Sequence, residues 1–407
     1  MKIIYLHQYF NTPQMSGGTR SYEMARRFVK AGHEVHMITS QRENHTKAKG
    51  WSCEPIDGIY VHWLNVPYSN KMSFLKRIVA FIKFSVAAGL KAVNVKGDIL
   101  FATSTPLTIA LPGVFASKIL RIPMVFEVRD LWPEVPIAIG ALKHPILKKL
   151  AYILEKFAYK NSKHIVALSS GMAEGIKKTG YSDEKISIIP NSCDLELFNV
   201  KKNVDNIFVQ FKNRSVDGHL IVYAGTLGEV NGVGYLVEIA HSMKSVNPKI
   251  NFLIVGDGKE NSTISVKAND LGVLGDNLWI LPPVSKSKIP ELLSAATLTS
   301  SFVIDLPELW NNSANKFFDS LAAARPIMIN YEGWQADLLR ETGAGFVVPP
   351  SDSILAANIL NEFVSNESTV KESEKAALQL AIDRFDRDKL AIKLLGVLEE
   401  GCHKKLV

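Results

Sequence analysis

The chain is poor in cysteine, with Cys53, Cys193 and Cys402 the only three in 407 residues, and their wide spacing fits no metal-ligand pattern. So sparse and odd a set excludes a disulfide-stapled fold and points to a reducing cytosol. No apolar run of about 20 residues is present, which excludes a conventional membrane-spanning helix. The opening MKIIYLHQYFN turns polar too early for a secretory leader, so the Asn-x-Ser/Thr triplets at Asn44, Asn213, Asn261 and Asn366 read as coincidence. Neither candidate first strand leads into G-x-G-x-x-G, and no glycine loop ends in Lys-Ser/Thr. Those two absences argue against a nicotinamide-dependent dehydrogenase and a P-loop enzyme. Acid is also missing locally: residues 58–97 contain no Asp or Glu.

What is present describes a folded protein, 47% hydrophobic and 21% charged. Its length implies two domains. The formal charge of +7 is uneven, with +11 over residues 1–200 and −4 over the rest. A basic half joined to an acidic half suggests that only the first meets an anionic surface or substrate. Short apolar runs such as KIIYLH, DILFA and IPMVFEV alternate with helix-length segments, and the rhythm restarts at HLIVYAG (219–225). This βαβα alternation predicts α/β architecture with parallel sheets: two doubly wound Rossmann-like domains, residues 1–200 and 201–385, with a cleft between them. A linker is expected near 195–218, and ligand loops at the carboxyl ends of the strands.

Four stretches carry chemistry. In HQYFNTPQMSGGTRSYEMARRF, Gly17-Gly18 allows close backbone approach, Thr19 or Ser21 can cap the helix that follows, and Arg20 stands beside amides that favour an anion. The alternative is a plain glycine entry to a helix. In FEVRDLWPEVP, Glu127, Arg129, Asp130 and Glu134 crowd Trp132 at a strand tip, a place for ligand chemistry or for a structural Arg129–carboxylate network. VYAGTLGEVNGVGYL brings Gly225-Thr226-Leu227-Gly228 to a strand-to-helix turn suited to phosphate. In ELWNNSANKFFDS, Lys316 near a helix start implies a nearby anion, and Asp319 one turn on can face the same way to hold a ribose diol. A surface ion pair between the two is the plain alternative. A fifth feature is electrostatic. Residues 70–96 place Phe74, Ile78, Phe81, Ile82 and Ser85 at helical spacing with Lys76, Arg77 and Lys83 off that stripe, and residues 143–163 add six lysines against Glu155. Such segments suit an anionic membrane face, or simply the outer layer of a sheet.

Taken together and in order, the Gly-Gly loop, EVRDLWPE, YAGTLG and ANKFFDSLAAARPIMI resemble the retaining GT-B glycosyltransferases of family 4, over residues 1 to about 400. The likeness is greatest to the O-antigen and capsule enzymes that include N-acetyl-L-fucosaminyl transferases. It implies that the carboxyl-terminal helix, 386–401, rejoins the first domain. It implies a cytoplasmic enzyme, peripheral at the inner face of a bacterial membrane. The expected reaction moves a sugar such as an N-acetylated deoxyhexosamine from a UDP-sugar to a saccharide on undecaprenyl diphosphate. No metal and no nucleic acid are expected. The donor would lie against Gly17, Gly18, Arg20, Thr226, Gly228, Asn231, Gly256, Val284, Ser313, Ala314, Asn315, Lys316 and Asp319, with Arg129, Asp130 and Lys316 catalytic and Trp132 and Glu134 meeting the acceptor. Retention would follow attack from the leaving-group side, without a covalent intermediate. Two departures stand out. Asn311 replaces the first acid of E-x7-E, and Thr226 and Asn231 replace the usual Arg and Lys beside the diphosphate. A UDP-sugar epimerase of the same architecture is the alternative.

Overall fold

The computed structural model describes residues 1–15, 17–41, 50–66, 74–199 and 218–403, with 74–78 and 403 described by backbone only. Most of the expected linker, the triplets at Asn44 and Asn213, and the side chains of Phe74, Lys76, Arg77 and Ile78 fall outside that description. The chain divides into two units: Met1–Thr12, Gly18–Pro190 and Asp388–Val407 form one, Pro13–Gly17 and Asn191–Arg387 the other. Both are doubly wound α/β.

The first unit is built on eight strands: β1 (Lys2–Leu6), β2 (Glu34–Gln41), β3 (Trp51–Ile56), β4 (Ile59–Asn65), β5 (Ile99–Thr103), β6 (Met124–Val128), β7 (His164–Ala167) and β8 (Ile186–Ile188). Their order is β3-β4-β2-β1-β5-β6-β7-β8. β1 and β5 are runs of apolar residues, as a strand covered on both faces requires, and residues such as Ile4, Leu100 and Phe126 pack on Phe84, Ala88 and Val114 of the covering helices. The sequence reading misses β3. WSCEPI is a mostly exposed edge strand and shows no apolar run. It pairs antiparallel with β4 through Asp57-Gly58, whose φ values of 47° and 80° make a tight hairpin turn.

The second unit holds β9 (His219–Ala224), β10 (Ile250–Val255), β11 (Leu278–Leu281), β12 (Leu298–Ser301), β13 (Ile327–Ile329) and β14 (Gly345–Val347), in the order β11-β10-β9-β12-β13-β14. All pairings are parallel. The chain doubles back between β9 and β12, and the carboxyl ends of those strands are where a crevice for ligand opens in such sheets. Residues 191–199 belong here, not to the first domain as expected. Asn191 bonds Ser313, Cys193 donates its thiol to the Phe318 carbonyl at 3.1 Å, and Phe198 joins the core beside Phe317 and Leu321.

Candidate active site

In the second unit the site begins at the turn after β9. Gly225 accepts the side chain of Lys316 against its backbone: a Cβ there would lie 3.0 Å from Lys316 Cδ and 3.3 Å from Nζ. The next strand end presses on the same turn, since a Cβ at Gly256 would fall 1.9 Å from the Gly225 carbonyl oxygen. Only glycine permits that approach. Lys316 Nζ stands over the Tyr223 ring, 5.2 Å from its centroid, and donates to Asn231 Oδ1 at 3.4 Å. Among the described residues no carboxylate is within ion-pair distance of it. Desolvation lowers its pKa from 10.5 to about 8, against a weaker upward pull from Asp319. A half-buried cation with no counter-ion is costly to keep charged, and its natural complement is a bound anion. The helix Asn315–Ala322 that carries it has Ala314 at its N-cap and no side-chain cap bond, so no side chain of the N-cap residue satisfies its first amides.

Other expected donor residues are placed differently. Lys316 and Asp319 take different partners. Asp319 is buried and bound by Lys286 Nζ at 2.5 Å to each oxygen, and Lys286 follows β11 in the same loop as exposed Val284. The pair on this helix is therefore not the i, i+3 bridge either. The Ser313 hydroxyl accepts from the Asn191 amide and is buried. Thr226 is exposed, and Gly228 packs near Asn231 Nδ2. Gly17 has φ 118° and Thr19 occupies the N-cap of helix Arg20–Lys30 without a side-chain cap bond, contrary to the capping expected.

Arg20 is the clearest correction. It is fully buried and turned into the protein, where Nε and Nη2 donate to Glu127 Oε1 at 3.0 and 2.8 Å. Nη1 and Nη2 also donate to the carbonyls of Pro190 and Ile189 at 2.6 and 2.9 Å. Four of its five N–H donors are thus engaged within the buried interior, so it is not placed as a phosphate ligand. Burial alone would raise the Glu127 pKa, but Arg20, Arg129 and the Thr103 hydroxyl hold it below the usual range.

The first unit gathers a different group at its strand tips. Neighbouring β1, β5 and β6 end at His7, Ser104-Thr105 and Arg129-Asp130. The Arg129 amide donates to Ser104 Oγ at 2.8 Å, its guanidinium reaches His7 Nε2 at 3.5 Å, and Thr105 Oγ1 donates to Asp130 Oδ2 at 3.2 Å. Asp130 is exposed, yet desolvation raises its pKa above the ordinary range, against Arg129 and the Thr105 hydroxyl. Thr105 has φ 82°, a strained value for a β-branched residue and one found mostly where function holds it. Sequence reasoning passed over His7, Ser104 and Thr105. Their signal was position alone, each sitting just past an apolar run. The four groups around Trp132 separate. Glu127 goes to Arg20, Arg129 and Asp130 stay at the tip, Trp132 packs on the core, and Glu134 starts a short helix and faces Glu155. Among the described residues, no three His, Cys, Asp or Glu side chains converge as metal ligands.

This pair of units has known counterparts. Residues 17–197 match the family model described as Glycosyltransferase Family 4, and residues 205–379 that described as Glycosyl transferases group 1. The chain is a glycosyltransferase of the GT-B fold. This glycosyltransferase is 24% identical over 307 residues to the probable glycosyltransferase WbjE of Pseudomonas aeruginosa, a match spanning 73% of the chain and 74% of that protein. It is also 24% identical over 258 residues to the UDP-Gal:alpha-D-GlcNAc-diphosphoundecaprenol alpha-1,3-galactosyltransferase of Escherichia coli, across 58% of the chain and 65% of that enzyme. Among solved structures, sucrose-phosphate synthase from Thermosynechococcus elongatus superposes with a TM-score of 0.79 at 15% identity over 98% of both chains. Anabaena HepE in complex with UDP-glucose gives 0.73 at 17% identity, over 98% of this chain and 100% of that one. These two establish the fold.

Proposed function

We propose that this glycosyltransferase moves a sugar from a UDP-sugar to a saccharide carried on a polyprenyl diphosphate, with retention of configuration. The observation that carries the reading is Lys316: a desolvated ammonium without a carboxylate, against a glycine turn, at the uncapped start of a helix. An ammonium and amides fixed in place stabilise negative charge on a departing diphosphate without reorganisation, and no divalent metal is needed. Lys316 thereby takes over from the absent Arg and Lys, with Asn231 steering its Nζ. The Escherichia coli relative's UDP-galactose donor and diphosphoundecaprenol acceptor, and the UDP-glucose bound to HepE, support the donor and acceptor classes. The sugar in this reading is an N-acetylated deoxyhexosamine such as N-acetyl-L-fucosamine. Asp130, braced by Thr105 and close to Arg129, positions the acceptor and is not a nucleophile.

A thermal-shift panel of UDP, GDP, dTDP and CMP tests the nucleotide. UDP is expected to give the largest shift, since a ligand at about 100 times its Kd adds roughly 2.7 kcal/mol. Transfer is then followed by NMR of the anomeric proton, with and without EDTA. A retained anomer and indifference to EDTA fit the reading; inversion, or loss of turnover in EDTA, refutes the corresponding part. Conversion of donor without acceptor would instead mark an epimerase, which the relatives do not favour.

A further inference from the structure

Away from these residues, three neighbouring helices of the first unit carry apolar side chains on the face turned from the sheet. Helix Phe74–Val95 buries Ala80, Phe84, Ala88 and Ala92 in the core at four-residue steps. Its opposite side is apolar too: Val79, Ile82, Val86 and Leu90 are each more than half exposed. Helix Ala110–Leu120, packed alongside, exposes Leu111, Phe115 and Ile119. Helix Pro145–Lys160 reverses the ordinary pattern, burying Glu155 while Ile146, Leu150, Ile153 and Phe157 form an exposed stripe. Between the first two helices runs a groove of about 410 Å³ lined by Phe81, Ile82, Val86, Leu111 and Phe115 among others.

Single exposed apolar residues are ordinary, but a patch spread over three helices marks a covered surface. Charge indicates what covers it. The three helices hold one carboxylate, Glu155, and it is buried, while Lys83, Lys118, Lys149, Lys156 and Lys160 are exposed. On helix Pro145–Lys160 the last three lie three residues beyond Ile146, Ile153 and Phe157, so they flank the apolar stripe. Apolar residues edged with lysine and free of acid suit an anionic headgroup layer, the side chains reaching the acyl boundary and the ammonium groups the phosphates. A second copy using this face would set lysine against lysine.

We propose that this face docks on an anionic phospholipid bilayer, with a hydrocarbon chain of the bilayer lying in the groove between helices Phe74–Val95 and Ala110–Leu120. The inference rests on the proposed function only in placing the enzyme near a lipid-borne acceptor; docking itself needs no sugar. The test sediments the full chain with vesicles of phosphatidylglycerol and phosphatidylethanolamine, or of phosphatidylcholine alone, without donor or acceptor. Binding to the anionic vesicles is expected, weakened about tenfold by Ile82→Glu/Leu150→Glu. Lys149→Glu/Lys156→Glu and high salt should weaken it as well. Ile354→Glu, at an exposed apolar residue of the second unit, should leave it unchanged. Phe115→Trp should gain fluorescence quenching from lipids brominated in the acyl chain, and no added quenching would remove the groove from the proposal. Melting temperatures show whether each variant is folded. Absent binding, binding equal in all variants, or an oligomer in sedimentation velocity that Ile82→Glu/Leu150→Glu dissolves would overturn docking. Intact vesicle binding with no UDP-sugar turnover would sink only the transfer reading, and turnover without binding only this one.

Discussion

Lys286 holds both carboxylate oxygens of Asp319 at 2.5 Å, and each side chain is only 12% exposed. The two residues come from different elements, the loop after β11 and helix Asn315–Ala322, so the pair ties that loop to the helix that carries Lys316. The acid expected to meet a ribose diol thus already has a cation. Removing one partner of a buried pair strands the other, at a cost of about 3–5 kcal/mol when burial is complete. With some exposure, Asp319→Asn and Lys286→Met should each lower unfolding free energy by about 2–3 kcal/mol in urea. Lys286→Met/Asp319→Leu should regain at least half of that loss. A single variant as stable as the wild type would show that the pair contributes nothing.

Arg20 and Glu127 give a pH-dependent prediction. The folded-state pKa of Glu127 lies below its ordinary 4.5, so the folded protein gives up that proton more readily than the unfolded chain. The contribution of this carboxylate is complete above the ordinary glutamate range and drains away as pH falls through the lowered value. Glu127→Gln should be less stable than the wild type by about 3–5 kcal/mol at pH 7, because Arg20 is left buried without its counter-ion. The deficit should shrink toward pH 3 in a urea series. A deficit that does not change with pH would assign the loss to packing.

Glu155 behaves in the opposite sense. Burial, with Glu134 adding repulsion, raises its pKa from 4.5 to about 8. The folded state therefore binds more protons than the unfolded state between those values, and stability falls as pH rises from about 4.5 to about 8. Glu155→Gln keeps the shape without the charge. Its melting temperature should equal or exceed that of the wild type above pH 8, and the difference should vanish near pH 5.

The strands were legible because parallel strands covered on both faces must be apolar, and KIIYLH, IPMVFEV and HLIVYAG are such runs. β3 was not, because an exposed edge strand has no apolar signature; Asp57-Gly58 was its only local mark. Glycine turns announced where backbone segments come close, as at Gly225 and Gly256. Side-chain direction could not be read, since partners lie far apart in the chain: Arg20 and Glu127 by 107 residues, Lys316 and Asn231 by 85, Lys286 and Asp319 by 33. Arg20 looked like an anion ligand beside Gly18 because its carboxylate partner is invisible at that distance. His7, Ser104 and Thr105 meet Arg129 and Asp130 only through the strand order β1-β5-β6, which no single segment encodes.

Calorimetry of UDP binding at pH 8.5, in buffers of different ionisation enthalpy, addresses Lys316 most directly. A diphosphate beside this amine should restore its charge, so binding should take up a fraction of a proton from buffer, up to roughly three-quarters per UDP at this pH, because the free-enzyme pKa is about 8. Lys316→Met should abolish that uptake and weaken UDP roughly 10- to 100-fold, the loss of one charged hydrogen bond of about 1.5–3 kcal/mol. UDP binding of equal strength in the variant, with the same proton uptake, would contradict the account.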